Sequence, residues 1–138
     1  MEASTFIVRV RYAETDRMGV AYYGSYFAWL EVGRVEMLRE LGFTYAELEE
    51  GGVLLPVAET QCKYHTPARY DEELIVRTSI AEVGKGSVVF TTEIRGLADD
   101  RLVAKGRTKL GCVNADGRPS RLPAALLATL ADENGEDR

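Results

Sequence analysis

Apolar and polar positions alternate over residues 6–12. Phe6, Val8, Val10 and Tyr12 fall on one face and Arg9 and Arg11 on the other, the period of a half-buried strand. Residues 14–19 are polar and end in Gly, which reads as a loop. From residue 24 the period changes. Tyr26, Phe27, Leu30, Gly33, Met37, Leu38 and Leu41 recur at helical spacing, while Glu31, Arg34, Glu36, Arg39 and Glu40 sit mostly elsewhere on the wheel, so residues 24–41 are predicted helical. Ser25 or Gly24 suits the N-cap and Gly42 a C′ position. At 1.5 Å per residue this helix is about 27 Å long, and Gly33 and Ala28 are small enough to let it lie close to another layer.

A short helix over residues 44–50 is followed by the break Gly51-Gly52. Four strand-like runs come next, at residues 53–66, 74–83, 88–95 and 102–113. Leu74, Val76, Thr78 and Ile80 share one face of the second run, and Gly84-Lys85-Gly86 and Asp99-Asp100 supply hairpin turns. Pro123 opens a closing helix over residues 123–131, and residues 132–138 are polar enough to fray. The expectation is an α+β domain spanning residues 1–138, with one long helix on a mostly antiparallel five-stranded sheet. One sheet and one helix leave strand edges bare, so a second copy is expected to pair with the first.

Composition narrows the function. The chain has 138 residues, a formal charge of −5, two cysteines and one histidine. The acidic balance argues against general nucleic-acid binding, and the Cys and His counts against a disulfide framework or a Cys/His zinc site. No apolar run approaches a membrane span, and Met1-Glu2-Ala3-Ser4-Thr5 has no basic leader region. A cytoplasmic protein with reduced thiols is expected. Cys62 and His65 are three apart on a strand and point to opposite faces, so they read as ordinary strand residues. No Ser lies in a G-x-S-x-G elbow, and there is no G-x-G-x-x-G or P-loop.

The informative stretch is Tyr12-Ala13-Glu14-Thr15-Asp16-Arg17-Met18-Gly19-Val20-Ala21-Tyr22-Tyr23-Gly24-Ser25-Tyr26. An acid in a loop precedes the start of the long helix. A helix N-terminus offers unpaired N–H groups and the positive end of the dipole, the elements of an oxyanion site. If the loop folds back, Asp16 and the amides near Tyr23 face one spot and supply the two parts needed to cleave an activated acyl group. The alternative is that Asp16 or Thr15 only stabilises the turn.

The run Asp16-Arg17-Met18-Gly19-Val20-Ala21-Tyr22-Tyr23, continued by Ser25-Tyr26 and Trp29-Leu30-Glu31, resembles the 4-hydroxybenzoyl-CoA thioesterase-like family of hotdog-fold proteins, which includes the YbgC-type acyl-CoA thioesterases. Glu31-Val32-Gly33-Arg34-Val35-Glu36-Met37-Leu38 and Tyr64-His65-Thr66-Pro67-Ala68-Arg69-Tyr70-Asp71 are similar to further stretches of that family, and the similarity extends over residues 8–113. The resemblance implies a sheet wrapped around the central helix and sites at a subunit interface, with dimers and a dimer-of-dimers tetramer. It implies hydrolysis of an acyl-CoA thioester, CoA being part of the substrate and no cofactor needed. Asp16 takes the place of the catalytic Asp, as nucleophile or general base. Tyr23 takes the position whose backbone N–H polarises the thioester carbonyl. YbgC-type members usually carry His there; a backbone donor survives that change and a His side-chain role does not.

Glu31 is a rival carboxylate, since another hotdog lineage places its acid on the central helix. It lies about two turns in, and an ion pair with Arg34 accounts for it. For substrate binding, the resemblance points to Tyr64, to Arg69 and Lys85 as phosphate contacts, and to Gly86 and Ser87 beside the pantetheine arm. Lys105, Arg107 and Lys109 share one face of the last strand and read as a solvated outer face with cross-strand charge pairs. Cys62 and Cys112 read as buried structural thiols. The competing function is a non-catalytic acyl-CoA-binding hotdog protein, a sensor or scaffold.

Overall fold

The computed structural model describes residues 4–135. Five strands, β1 (Ser4–Arg9), β2 (Val57–Tyr64), β3 (Glu73–Val83), β4 (Ser87–Gly96) and β5 (Leu102–Gly111), form one antiparallel sheet. Three helices accompany it: α1 (Ser25–Glu40), α2 (Tyr45–Glu50) and α3 (Ala124–Gly135). The sheet curls around α1, the α+β hotdog arrangement expected.

The strand order is β1-β3-β4-β5-β2. β3, β4 and β5 follow one another through the two expected hairpins. β2 does not pair with its successor in sequence; it crosses to the far edge and pairs with β5. Every residue of β2 except Cys62 is exposed, so this edge carries a full row of unpaired backbone groups.

α1 buries Tyr26, Trp29, Leu30, Gly33, Met37 and Leu38 on one stripe. Two glycines set how near it comes to the sheet. A Cβ on Gly33 would collide with Thr78 Oγ1, and one on Gly106 of β5 would come within 2.6 Å of Leu30 Cδ1. Ala28, expected beside Gly33 in this role, is exposed instead. Gly42 closes the helix with φ +98°, a conformation only glycine adopts without strain. Thr44 caps α2 by accepting the Glu47 N–H at 3.2 Å.

The core falls into two clusters. One gathers Tyr26, Trp29, Leu30, Leu74, Val76, Ile94 and Val103 under the N-terminal half of α1. The other gathers Met37, Leu38, Ile80, Phe90, Leu110, Leu126 and Leu130 under its C-terminal half, with α3 as the lid.

Three further expectations need correction. β1 ends at Arg9, and the chain leaves the strand through a 3-10 turn, Tyr12–Glu14, so Tyr12 is 80% exposed and not on the buried face with Val10. α3 continues to Gly135, past residue 131, so residues 132–135 are helical and not frayed; residues 136–138 lie outside the described residues. Finally, no ion pair joins Glu31 to Arg34 among the described residues. Glu31 is exposed, while Arg34 turns inward and is 7% exposed.

The charged face of β5 reads as expected. Lys105 stands opposite Glu93, which also meets Arg95 at 2.6 Å, and Arg107 meets Glu82 at 2.6 Å. The Arg95 guanidinium beside Glu93 holds its carboxyl below the usual range. Cys62 and Cys112 are free thiols; Cys112 is buried as expected, whereas Cys62 is only half-buried.

Candidate active site

The chain between the 3-10 turn and α1 is a tight hairpin. Thr15 bridges Ala21, the Asp16 N–H donates to Val20 O at 2.9 Å, and the Gly19 N–H donates to Asp16 O at 3.1 Å. Gly19 makes the reversal with φ +78°. Asp16 stands half-buried at the mouth of this hairpin. Its Oδ1 accepts the Met18 N–H at 2.8 Å, and Oδ2 makes no hydrogen bond or ion pair among the described residues.

The hairpin returns directly into α1. The Ser25 N–H donates to Tyr22 O at 2.9 Å and the Phe27 N–H to Gly24 O at 3.3 Å. Among the described residues, the N–H groups of Tyr23 and Gly24 find no acceptor. These are the orphan donors at the positive end of a sixteen-residue helix.

Residues 66–72 form the other wall. The Ala21 N–H donates to Ala68 O at 2.7 Å, Val20 bridges Arg69, and the Tyr70 N–H donates to Gly19 O at 3.1 Å. Arg101 clamps this segment by donating to Thr66 Oγ1, Pro67 O and both Glu72 carboxylate oxygens. The Tyr64 hydroxyl donates to Tyr23 O at 2.9 Å, and its ring meets Tyr26 edge-on with centroids 4.9 Å apart. The Ala68 N–H donates to the Tyr26 hydroxyl at 3.3 Å.

Between these walls lies a cavity of about 290 Å³ lined by Ala21, Tyr23, Tyr26, Tyr64, His65, Thr66 and Pro67. Burial raises the phenols of Tyr26 and Tyr64 above the usual tyrosine range, so both are neutral donors near neutral pH. Burial likewise pushes the Cys62 thiol up, which leaves no thiolate nucleophile beside the cavity.

Tyr23 and Tyr64 thus share one cavity wall, and Asp16 and Arg69 sit next to it through the paired backbone of residues 15–21 and 69–70. Lys85, Gly86 and Ser87 do not join them within one chain. β3 starts four residues after Arg69 and ends two before Lys85, and its ten residue steps at ~3.3 Å span about 33 Å. Gly86 has a local reason for its identity. A Cβ there would come 2.9 Å from Ser120 O, and Lys85 O accepts the Leu122 N–H at 2.8 Å. Glu31 lies in a separate cavity, also about 290 Å³, with Phe27, Ala28, Arg34, Val57 and Thr60.

Sequence reasoning passed over three residues that build the site: Glu14, Tyr26 and Arg101. Tyr26 is legible as an apolar-face position and as part of the stretch before the helix but not as a hydrogen-bonding group, and Arg101, between the Asp99-Asp100 turn and the last strand, draws no reading. Glu14 carried the one usable signal, an acid two residues before Asp16.

A family model described as the thioesterase-like superfamily matches residues 10–130. The chain is 36% identical over 116 residues to a putative acyl-CoA thioesterase, YneP, of Bacillus subtilis, covering 84% of this chain and 83% of that one. It is 35% identical over 122 residues to the acyl-CoA thioester hydrolase YbgC of Escherichia coli, covering 88% and 90%. The solved structure of a DHNA-CoA thioesterase from Staphylococcus aureus superposes with a TM-score of 0.91 at 32% identity, over 100% of this chain and 97% of that one. With the sheet wrapped on α1 and the family model matching residues 10–130, the chain belongs to the thioesterase-like superfamily, as a hotdog-fold enzyme of the thioester hydrolase kind.

Proposed function

We propose that the protein hydrolyses acyl-CoA thioesters to a carboxylic acid and free CoA, with Asp16 as the catalytic carboxylate and the Tyr23 amide as the oxyanion donor. One observation carries the reading. The hairpin that presents Asp16, with Oδ2 left open, runs straight into a helix start whose Tyr23 and Gly24 N–H groups have no acceptor among the described residues.

The thioester carbonyl oxygen sits against those amides, which stabilise the charge it gains in the tetrahedral intermediate. Asp16 then either takes a proton from an attacking water or attacks the carbonyl carbon itself. In the first case the proton passes to the departing CoA sulfur; in the second, the C–S bond breaks as the acyl-Asp16 anhydride forms, CoA leaves as the thiolate and is protonated by water, and a second water hydrolyses the anhydride. Turnover in ¹⁸O-water separates them if water attacks the Asp16 carboxyl carbon of that anhydride, because ¹⁸O then enters the Asp16 side chain. The Tyr64 hydroxyl holds Tyr23 O and so helps keep the peptide before the helix in place. The aromatic lining of the cavity by Tyr23, Tyr26 and Tyr64 suits an acyl group that packs flat against rings.

A second copy completes the site. Antiparallel pairing of two β2 edges sets the Tyr64 end of one copy against the Val57 end of the other. Val57 pairs with Leu110, next to Gly111, which pairs with Ser87. The partner's Lys85-Gly86-Ser87 hairpin thereby approaches the Asp16 end and supplies a cation for a CoA phosphate, alongside Arg69. Two such dimers make the tetramer.

The test is thiol release over short, long, branched and aromatic acyl-CoAs, with Asp16→Asn and Lys85→Ala alongside and the solution mass measured. Turnover that Asp16→Asn lowers by at least ~100-fold supports the assignment. Binding without turnover across the panel sinks it in favour of a sensor or scaffold.

A further inference from the structure

Glu14 is 8% exposed and is the one buried carboxylate among the described residues. A lone buried carboxylate is costly unless its lone pairs are met, and here they are met by two different elements. Oε1 accepts the Arg11 N–H at 2.8 Å, where the chain leaves β1. Oε2 accepts the Trp29 indole N–H at 3.1 Å, from the second turn of α1, with Arg11 Nη2 at 3.4 Å. The backbone of Glu14 is fully engaged too. Its N–H donates to Arg11 O at 2.9 Å, and its carbonyl accepts both the Tyr22 N–H at 2.8 Å and the Ser25 hydroxyl at 3.0 Å.

These bonds have a common geometric result. The hairpin carrying Asp16 has two legs, Thr15 leaving Glu14 and Ala21 entering Tyr22, and Glu14 ties the base of both. The same side chain fixes the first two turns of α1 through Trp29. The hairpin and the helix start are joined by residues 22–23 and both meet Ala68, through Ala21 and Tyr26, but the hairpin tip is a Gly19 reversal and the helix begins at Gly24 with no side-chain cap. We infer that Glu14 is a positioning residue for thioester hydrolysis, a joint that fixes Asp16 relative to the Tyr23 amide. This rests on the reading of Asp16 and Tyr23 given above. A carboxylate is needed because two N–H donors converge on it from opposite sides. A glutamine has the same shape but one oxygen, so its NH₂ must face either Arg11 N–H or Trp29 N–H, donor against donor.

The experiment compares Glu14→Gln, Trp29→Phe, the double variant and Asp16→Asn, using the acyl-CoA that the wild type hydrolyses fastest. Far-UV circular dichroism confirms that each variant is folded. Misplacement of a reacting group by a fraction of an ångström to 1 Å lowers kcat by about 10- to 100-fold, so Glu14→Gln loses that much in kcat with KM within twofold of wild type. Removing the indole donor lets the oxygen of the introduced glutamine turn to the Arg11 N–H, so the double variant loses less than the product of the two single losses. Trp29 is the single tryptophan, so one indole ¹H–¹⁵N resonance reports the contact directly, and Glu14→Gln shifts it. The inference is overturned if Glu14→Gln keeps wild-type kcat while Asp16→Asn is inactive, if the loss falls in KM alone, if the single losses multiply, or if the indole resonance stays put. Full turnover by Asp16→Asn is a different result. It removes the reading beneath the inference, while the indole shift still decides whether Glu14 holds Trp29.

Discussion

Both halves of α1 rest on apolar clusters, but the N-terminal half adds buried, directed hydrogen bonds that the C-terminal half lacks among the described residues. Toward its C-terminus, Met37 and Leu38 sit among Ile80, Phe90, Leu110, Leu126 and Leu130, with α3 closing the cluster. Toward its N-terminus, the helix meets Glu14, the hydroxyls of Tyr26 and Tyr64 and the indole of Trp29, each in a directed hydrogen bond. Hydrocarbon packing is tolerant of direction and supplies stability in proportion to area. Hydrogen-bonded polar groups add little net stability but fix position. The comparison teaches that apolar packing anchors the helix along its length, while the hydrogen bonds of its N-terminal half also aim it.

The division of labour can be broken or sharpened by substitution. The largest effect is expected from Leu130→Ala in the cluster under the C-terminal half. Emptying a fully buried leucine costs about 2–5 kcal/mol, read as a lower midpoint in urea, while kcat of the protein that stays folded is unchanged. Asp16→Asn is the mirror image. A loss of ~100-fold or more in thiol release, equivalent to about 2.7 kcal/mol at the transition state, comes with an unaltered urea midpoint. Gly33→Ala strikes the boundary. The new Cβ meets Thr78 Oγ1, and overpacking of this kind costs about 1–3 kcal/mol against about 1 kcal/mol gained in helix propensity. A lower midpoint together with a lower kcat is expected, because lifting the helix moves both halves. Tyr64→Phe removes one partly exposed hydrogen bond worth about 0.5–1.5 kcal/mol, so a few-fold loss in kcat is expected with little change in stability.

The smallest effect is on alkaline stability. Burial raises the phenols of Tyr26 and Tyr45 above 10.0 in the folded state. Below pH 10 both states keep these protons and no difference arises. Above it the unfolded chain gives them up first, so stability falls as pH rises from 10 toward the folded values. Tyr26→Phe flattens this fall in urea titrations between pH 9 and 11; an unchanged slope would place the phenol's titration elsewhere.

Much of the fold was legible because it is periodic. Tyr26, Leu30, Gly33, Met37 and Leu38 mark α1 by spacing alone, and Gly84-Lys85-Gly86 marks its hairpin. The pairing of β2 with β5 was not legible, because an edge strand exposed on nearly every position has no face to read. The alternation from Phe6 to Tyr12 misplaced Tyr12 for a different reason. The strand is stopped by Glu14 reaching back to the Arg11 N–H, and that bond is held by Trp29, eighteen residues beyond Arg11. At the site, Asp16 and Tyr23 stood out by position in a loop before a helix, with the family resemblance added. Glu14 and Arg101 did not, since their roles depend on partners distant in the chain.

The close seating of α1 on Gly106 also limits how this molecule can diversify. Leu30 fills the space directly above that glycine, so helix and sheet are in contact there and leave no room for a ligand at that point. Under the function proposed above, ligand preference is set instead at the cavity rim, at Tyr23, Tyr64 and His65, which are all exposed. Specificity can drift there at little cost in stability, while the scaffold beneath it stays the same.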